Sequence, residues 1–126
     1  MGELIAVLSG KGGTGKTSVC AAVATALARM GESVLCIDCD IGLRNLDISL
    51  GMSDIGALSF LDVCRGEYQL DRAARHPDFP SLAFLTAPMQ VSPEEIVGRD
   101  FCNMLRRARE LFDYIFLDAP AGVDAG

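Results

Sequence analysis

Residues 10–17 read GKGGTGKT and follow directly on an apolar run at 4–8 and Ser9. The glycines and the second lysine fit the pattern G-x-x-x-x-G-K-[ST], in which backbone N–H groups surround the phosphates of a nucleoside triphosphate. The apolar run is typical of a buried strand, and residues 16–30 have apolar side chains at helical spacing. These apolar side chains are Val19, Val23, Ala26, Leu27 and Met30. A phosphate-binding loop between a strand and a helix is therefore predicted.

The loop residues supply the groups that a bound triphosphate needs. Glycines let the main chain approach the phosphates, and the helix that follows points its free N–H groups and positive dipole end at them. Lys16 is expected to bridge the β- and γ-phosphates, Thr17 to bind Mg²⁺ through its hydroxyl, and Ser18 to contact the inner phosphate. A glycine-rich turn that binds nothing is the alternative. The predicted nucleotide-binding residues are Gly10, Lys11, Gly12, Gly13, Thr14, Gly15, Lys16, Thr17 and Ser18.

The first lysine of the motif, Lys11, is not required by the general pattern. Phosphoryl transfer spreads negative charge over the γ-phosphate, and an additional cation there can stabilise it, whether it comes from the same chain or from a partner. Lys11 is therefore a candidate catalytic residue beside Lys16. A solvated loop lysine is the alternative, and composition does not choose between the two.

Three aspartates are expected near the phosphates. The predicted strands 33–38 and 114–117 deliver Asp38 and Asp118 at their C-terminal ends, and Asp40 follows in the next loop. Asp118 is expected to hold Mg²⁺ through water, Asp38 to belong to the metal site, and Asp40 to orient the attacking water as a catalytic residue. Ordinary strand-end acids and turn-forming acids are the alternatives.

Strand and helix signals alternate along the rest of the chain. A third strand is predicted at 82–86, a short helix at 57–65, and a longer helix from a capping box at Ser92 to about Phe112. This alternation predicts an α/β fold in which a mostly parallel sheet carries helices on both faces, the three-layer α/β/α arrangement of phosphate-loop NTPases. Because the chain stops in a loop after the fourth predicted strand, residues 1–126 are predicted to be the N-terminal part of a single, truncated nucleotide-binding domain.

Charge and hydropathy restrict the surroundings in which the protein works. The formal net charge of -6 disfavours a nucleic-acid-binding surface, because such surfaces need clustered Lys and Arg. No stretch reaches the roughly 18 apolar residues of a membrane span, and the start lacks the basic flank and apolar segment of a secretion signal. A cytoplasmic location is therefore expected.

The cysteines and the single histidine are assigned structural roles. The cysteines are scattered over apparent core segments, which favours reduced, buried thiols over disulfides. Cys36 and Cys39 spell C-x-x-C, but residues three apart on a strand point to opposite faces, so core packing is preferred to a metal or redox role. His76, beside Pro77 in a polar stretch, is predicted to be a solvated loop residue. The cysteines are Cys20, Cys36, Cys39, Cys64 and Cys102.

Three ordered motifs resemble those of a known family. Residues 10–17 have the deviant Walker A form with a signature lysine, and residues 37–47, IDCDIGLRNLD, resemble the first switch of the division-site regulators in the MinD/ParA ATPase family. Residues 118–122, DAPAG, resemble the second switch. The resemblance implies an ATPase that dimerises face to face on ATP. It also implies that Lys11 crosses to the partner's phosphates, that Asp40 positions the water and that Asp118 serves the Mg²⁺ site.

The same resemblance implies a role in placing the division septum. The implied partners are a MinC-like inhibitor, a MinE-like activator and the inner-membrane surface, to which a cytoplasmic protein would bind peripherally. A chromosome- or plasmid-partitioning ATPase of the ParA type is the nearest rival, but such proteins usually have Pro-Gln where this chain has Ile41 and Gly42. An iron–sulfur electron donor of the nitrogenase-iron-protein type and an inactive nucleotide-binding fragment are the two remaining hypotheses.

Overall fold

A computed structural model of the chain describes residues 2–8, 14–39, 46, 50, 58–88 and 98–119, with residues 8 and 14–18 described by their backbone. Helices and strands alternate over most of these ranges. The strands are β1 (Glu3–Leu8), β2 (Val34–Asp38), β3 (Ala74–Arg75), β4 (Leu82–Leu85) and β5 (Tyr114–Ala119). The helices are α1 (Thr14–Arg29), α2 (Phe60–Cys64), α3 (Gly98–Leu111) and a short 3-10 helix at Leu70–Arg72.

The described strands form one sheet in the order β1-β5-β2-β4-β3. Its pairs β1–β5, β5–β2 and β2–β4 are parallel, and only β3 runs antiparallel, to β4. The mostly parallel sheet that was predicted is therefore confirmed. The antiparallel strand β3 was missed, because a strand of two residues is too short to give a periodic pattern.

Helices cover both faces of the sheet, as the three-layer fold requires. On one face, small residues of α1 form a core cluster with Val34 and Cys36 of β2. On the other face, residues of α2 and α3 pack with Leu35 and Ile37 of the same strand. Successive residues of β2 thus enter opposite cores, and all of β2 is buried. This double burial explains why β2 reads as a continuous apolar run.

Helix α1 was predicted correctly, but its apolar spacing does not mark the buried face. Val19 is 59% exposed and Met30 is 74% exposed. The buried side chains are instead Cys20, Ala21, Ala24 and Ala28. Small side chains let the helix axis lie close to the sheet, so shape selects this face over one with larger apolar residues.

The helix ends follow local chemistry. In α2, the Ser59 hydroxyl accepts from the Asp62 N–H and the Asp62 carboxylate accepts from the Ser59 N–H, both at 3.2 Å. This capping box starts α2 at Phe60, later than the predicted start at residue 57. Gly31 (φ 92°) and Gly66 (φ 79°) follow α1 and α2 in the left-handed conformation that suits glycine. The predicted start of α3 at Ser92 lies outside the described residues.

The predicted exposure of His76 was wrong. Its ring is buried, because both ring nitrogens have backbone hydrogen-bond partners and the imidazole therefore needs no water. The polar residues next to it in the sequence had indicated an exposed loop.

All five cysteines are free thiols, as predicted. Cys20 and Cys36 are buried, whereas Cys39 and Cys64 are half-buried and Cys102 is exposed on α3. The expectation that every cysteine is a core residue is thus wrong for Cys102, because α3 turns that position away from the sheet. Within the described ranges, no helix combines the length and the apolar character needed to cross a bilayer.

Candidate functional site

Two aspartates lie side by side where the parallel strands end. In the register of β2 and β5, Asp38 and Asp118 are Cα partners, and each is only 1% exposed. Val7 of β1 pairs with Asp118 from the other side. The sheet therefore places both predicted metal carboxylates at one edge, next to the end of β1, from which residues 9–13 lead to α1. We call this edge the carboxyl edge.

Backbone hydrogen bonds hold both aspartates in place. The Leu46 N–H donates to Asp38 Oδ2 over 3.3 Å in a buried position, so the chain folds back onto this carboxylate after eight residues. The Cys39 N–H donates to the Asp118 carbonyl over 2.9 Å, which extends the β2–β5 ladder past the end of β2. The Asp118 backbone is thus paired on both sides, to β1 and to β2.

Cys36 lies in the core beside the carboxyl edge, two residues before Asp38. Burial raises the pKa of the Cys36 thiol well above its usual range, and the nearby Cys20 and Asp118 raise it further. Cys36 is therefore a neutral core thiol. This agrees with the packing role predicted for the C-x-x-C pair, since Cys36 and Cys39 pack in different core clusters.

The donor set at the carboxyl edge fits a magnesium ion. Two buried carboxylates next to each other are costly unless a positive charge or hydrogen bonds offset them. Mg²⁺ is usually bound by one or two carboxylates together with waters and substrate phosphates. In the part of the chain that the structure describes, no group of three or more His, Cys, Asp or Glu could hold a metal. A site shared between Asp38, Asp118 and bound phosphates is consistent with these facts.

The predicted phosphate loop is described only in its second half. Helix α1 begins at Thr14, so residues 14–17 of the motif form its first turn, two residues earlier than predicted. That turn contains no acidic side chain that would oppose an anion. Five predicted site residues lie outside the described residues, and the side chains of residues 14–18 are likewise outside the description. The five residues are Gly10, Lys11, Gly12, Gly13 and Asp40.

Sequence reasoning missed the hydrogen bonds that lead to Asp38 from Leu46 and from His76. The Leu46 amide donates to Asp38, but a backbone donor leaves no signal in residue type. The His76 ring is hydrogen-bonded to the Leu50 carbonyl, and the Leu50 N–H donates to the Leu46 carbonyl. The only available signal for His76 was its position as the sole histidine, next to Pro77, and that position was interpreted as a loop.

The parallel sheet, the loop motif between β1 and α1 and the paired aspartates together define a phosphate-loop nucleotide-binding domain. Residues 5–115 match the family described as the CobQ/CobB/MinD/ParA nucleotide binding domain. The chain belongs to this family. This confirms the resemblance that the motifs indicated.

Individual relatives indicate that the chain is similar to the division-site regulators of this family. The septum site-determining protein MinD of Synechocystis sp. is 39% identical over 127 residues, covering 100% of this chain and 48% of the relative. In the MinC:MinD cell division protein complex of Aquifex aeolicus, a chain 37% identical superimposes with a TM-score of 0.81, over 98% of this chain and 50% of that one.

A MinD structure complexed with Mg-ADP, from Pyrococcus horikoshii OT3, is 32% identical with a TM-score of 0.77 and covers 98% of this chain and 51% of that chain. This chain therefore spans about half the length of the relatives it matches. The predicted resemblance to the division-site regulators is confirmed.

Proposed function

We propose that this chain is the nucleotide-binding part of a MinD-like ATPase switch, which binds and hydrolyses ATP to control where the division septum forms. The adjacency of Asp38 and Asp118 at the carboxyl edge is the observation that carries the proposal. Either aspartate alone is an ordinary strand-end acid. Two buried carboxylates beside a phosphate-loop motif form a combination suited to a triphosphate and its metal ion.

Nucleotide binding is assigned to residues 10–18. The amides of the loop and the N-terminal turn of α1 would bind the phosphates, because free N–H groups and the helix dipole both favour negative charge. Lys16 would neutralise charge on the β- and γ-phosphates. Thr17, Asp38 and Asp118 would hold Mg²⁺, which neutralises charge that develops on the phosphate oxygens.

Hydrolysis needs a positioned water and charge stabilisation at the γ-phosphate. Asp40 would accept a hydrogen bond from the attacking water and orient its oxygen toward phosphorus. Lys11 would approach the phosphates of the partner subunit in an ATP-dependent homodimer, so that turnover requires two chains. These roles follow from the resemblance of residues 10–17 and 37–47 to the family motifs.

The partners and location are proposed from the same relatives. Supporting observations are the MinC bound to the Aquifex aeolicus protein and the Mg-ADP bound to the Pyrococcus horikoshii protein. We propose a MinC-like inhibitor, a MinE-like activator and reversible binding to the inner membrane by a cytoplasmic protein. Residues 1–126 would be the N-terminal part of one domain, and the acidic charge of -6 disfavours nucleic acid as a partner.

A titration with ATP and Mg²⁺ tests the assignment of the loop. Lys16→Ala in the full-length gene product should weaken ATP binding by about a hundredfold, because a charge-assisted contact to phosphate contributes roughly 1.5–3 kcal/mol. Arg29→Ala is the matched control, since Arg29 lies in the last turn of the same helix and the substitution removes the same charge. Equal affinity of the Lys16 variant and the parent protein would contradict the proposal.

A further inference from the structure

The imidazole of His76 has a defined hydrogen-bonding state. Its Nδ1 lies 3.0 Å from the backbone N of Asp78, and its Nε2 lies 3.0 Å from the carbonyl oxygen of Leu50. A backbone N–H can only donate, so Nδ1 is the acceptor. Nε2 therefore carries the hydrogen and donates it to Leu50. The neutral ring bridges the β3–β4 hairpin to a residue 26 positions earlier in the chain.

The His76 ring is itself rigidly held. It is only 8% exposed, and the ring of Phe79 packs against it with centroids 5.0 Å apart. The His76 N–H donates to the carbonyl of Leu82 in β4 over 2.9 Å. A donor fixed in this way can define the position of the carbonyl that it contacts.

Hydrogen bonds continue from Leu50 to the candidate metal site. The Leu50 N–H donates to the carbonyl of Leu46 over 2.9 Å, and the Leu46 N–H donates to Asp38 Oδ2 over 3.3 Å. Leu46 and Leu50 are both buried in the core cluster beneath α1. The three contacts thus form a continuous path from the His76 ring to the Asp38 carboxylate.

We propose that His76 is a positioning residue for the nucleotide site. It holds Leu50, and through Leu50 and Leu46 it fixes the orientation of the Asp38 carboxylate. The role of Asp38 toward Mg²⁺ rests on the proposed function, whereas the path from His76 to Asp38 does not. In this role His76 acts on Asp38 through the hydrogen bonds of Leu50 and Leu46.

Two substitutions separate the hydrogen bond from the shape of the side chain. His76→Leu fills the site without a donor, and leaves the buried Leu50 carbonyl without the Nε2–H contact. His76→Gln places an amide N–H near the position of Nε2 and should restore that contact. Leu70→Ala is the control for stability, since Leu70 is buried in the core on the other face of the sheet. It should lower stability without touching the path.

The first measurement needs neither metal nor nucleotide. Amide hydrogen exchange, followed by NMR in the full-length gene product, should show the Leu46 and Leu50 amides exchanging roughly fivefold faster in His76→Leu, because one buried hydrogen bond is lost. Protection should return in His76→Gln, whereas in Leu70→Ala the Leu46 and Leu50 amides should change no more than the other core amides, because a loss of global stability acts on all of them alike. Unchanged protection of both amides in His76→Leu, or a loss of protection there that the other core amides share equally, would overturn the proposal.

The second measurement follows the metal. His76→Leu should raise the Mg²⁺ concentration needed for half-maximal tightening of ATP binding by roughly fivefold, while ATP affinity without Mg²⁺ stays within about twofold of the parent. Rescue by His76→Gln is expected. A normal Mg²⁺ requirement in His76→Leu would refute the positioning role, whereas normal ATP binding by Lys16→Ala would refute the proposed function itself.

Discussion

At the scale of single residues, burial determines which acidic and sulfur side chains can react. Asp38 and Asp118 are shielded from water at the carboxyl edge, and a buried carboxylate is costly unless hydrogen bonds or a cation offset its charge. Burial also acts on the thiols, where it favours the neutral, protonated form. Burial, and next the charge of Asp100, raise the pKa of Cys64 to about 11, which keeps it protonated at neutral pH.

Thiol alkylation should therefore distinguish two cysteines of different exposure. At pH 8, iodoacetamide should modify the exposed Cys102 of α3 before Cys64, because the thiolate is the nucleophile and Cys64 is almost entirely protonated below its pKa of about 11. The rate at Cys64 should rise about tenfold per pH unit up to that pKa. Peptide mass spectrometry after timed quenching measures both sites. Faster labelling of Cys64 than of Cys102 at pH 8 would contradict the described burial.

Residues of the candidate site could be predicted from the glycine-rich motif and from the ends of the apolar strands. The adjacency of Asp38 and Asp118 could be predicted, because each ends an apolar strand and parallel strands end at one edge. The hydrogen bonds of Leu46 and His76 could not be predicted, because they join residues that lie far apart in the sequence. Residue type alone does not indicate which distant residues come into contact.

At the scale of elements, periodicity predicted where the helices and strands lie better than which face they bury. Helix α1 was expected from its apolar spacing, yet it packs through small residues such as Ala24, which is fully buried, and leaves Val19 exposed. The choice depends on the distance between helix and sheet, and one helix does not determine that distance. The strand β3 could not be predicted, because its two residues are too few to show an alternation of apolar and polar side chains.

The assignment of the buried face of α1, which is formed by small residues, can be tested by increasing the volume of one side chain. Ala24→Leu should destabilise the protein by about 1–3 kcal/mol, because a larger side chain must enter a packed contact between α1 and the sheet. Ala22→Leu is the matched control, since Ala22 lies on the exposed side of the same helix and should change stability by less than about 0.5 kcal/mol. Urea denaturation of both variants measures the difference. Similar loss in the two variants would show that the buried face is misassigned.

At the scale of the whole molecule, the sheet order places the functional groups together. Strand β5, the last along the described chain, lies between β1 and β2. This insertion brings Asp118 next to Asp38. The alternation of elements predicted a parallel sheet, but it did not predict that order, because long-range pairing has no local sequence signal.

The most direct test is calorimetric titration of the full-length gene product with ATP, with and without Mg²⁺. We expect the parent protein to bind ATP and to bind it more tightly when Mg²⁺ is present. Asp118→Asn should keep metal-free binding and lose most of the tightening by Mg²⁺, whereas the exposed Asp71→Asn should behave as the parent. Absence of any binding heat from ATP or GTP with the folded parent protein and Mg²⁺ would contradict a nucleotide site at the carboxyl edge.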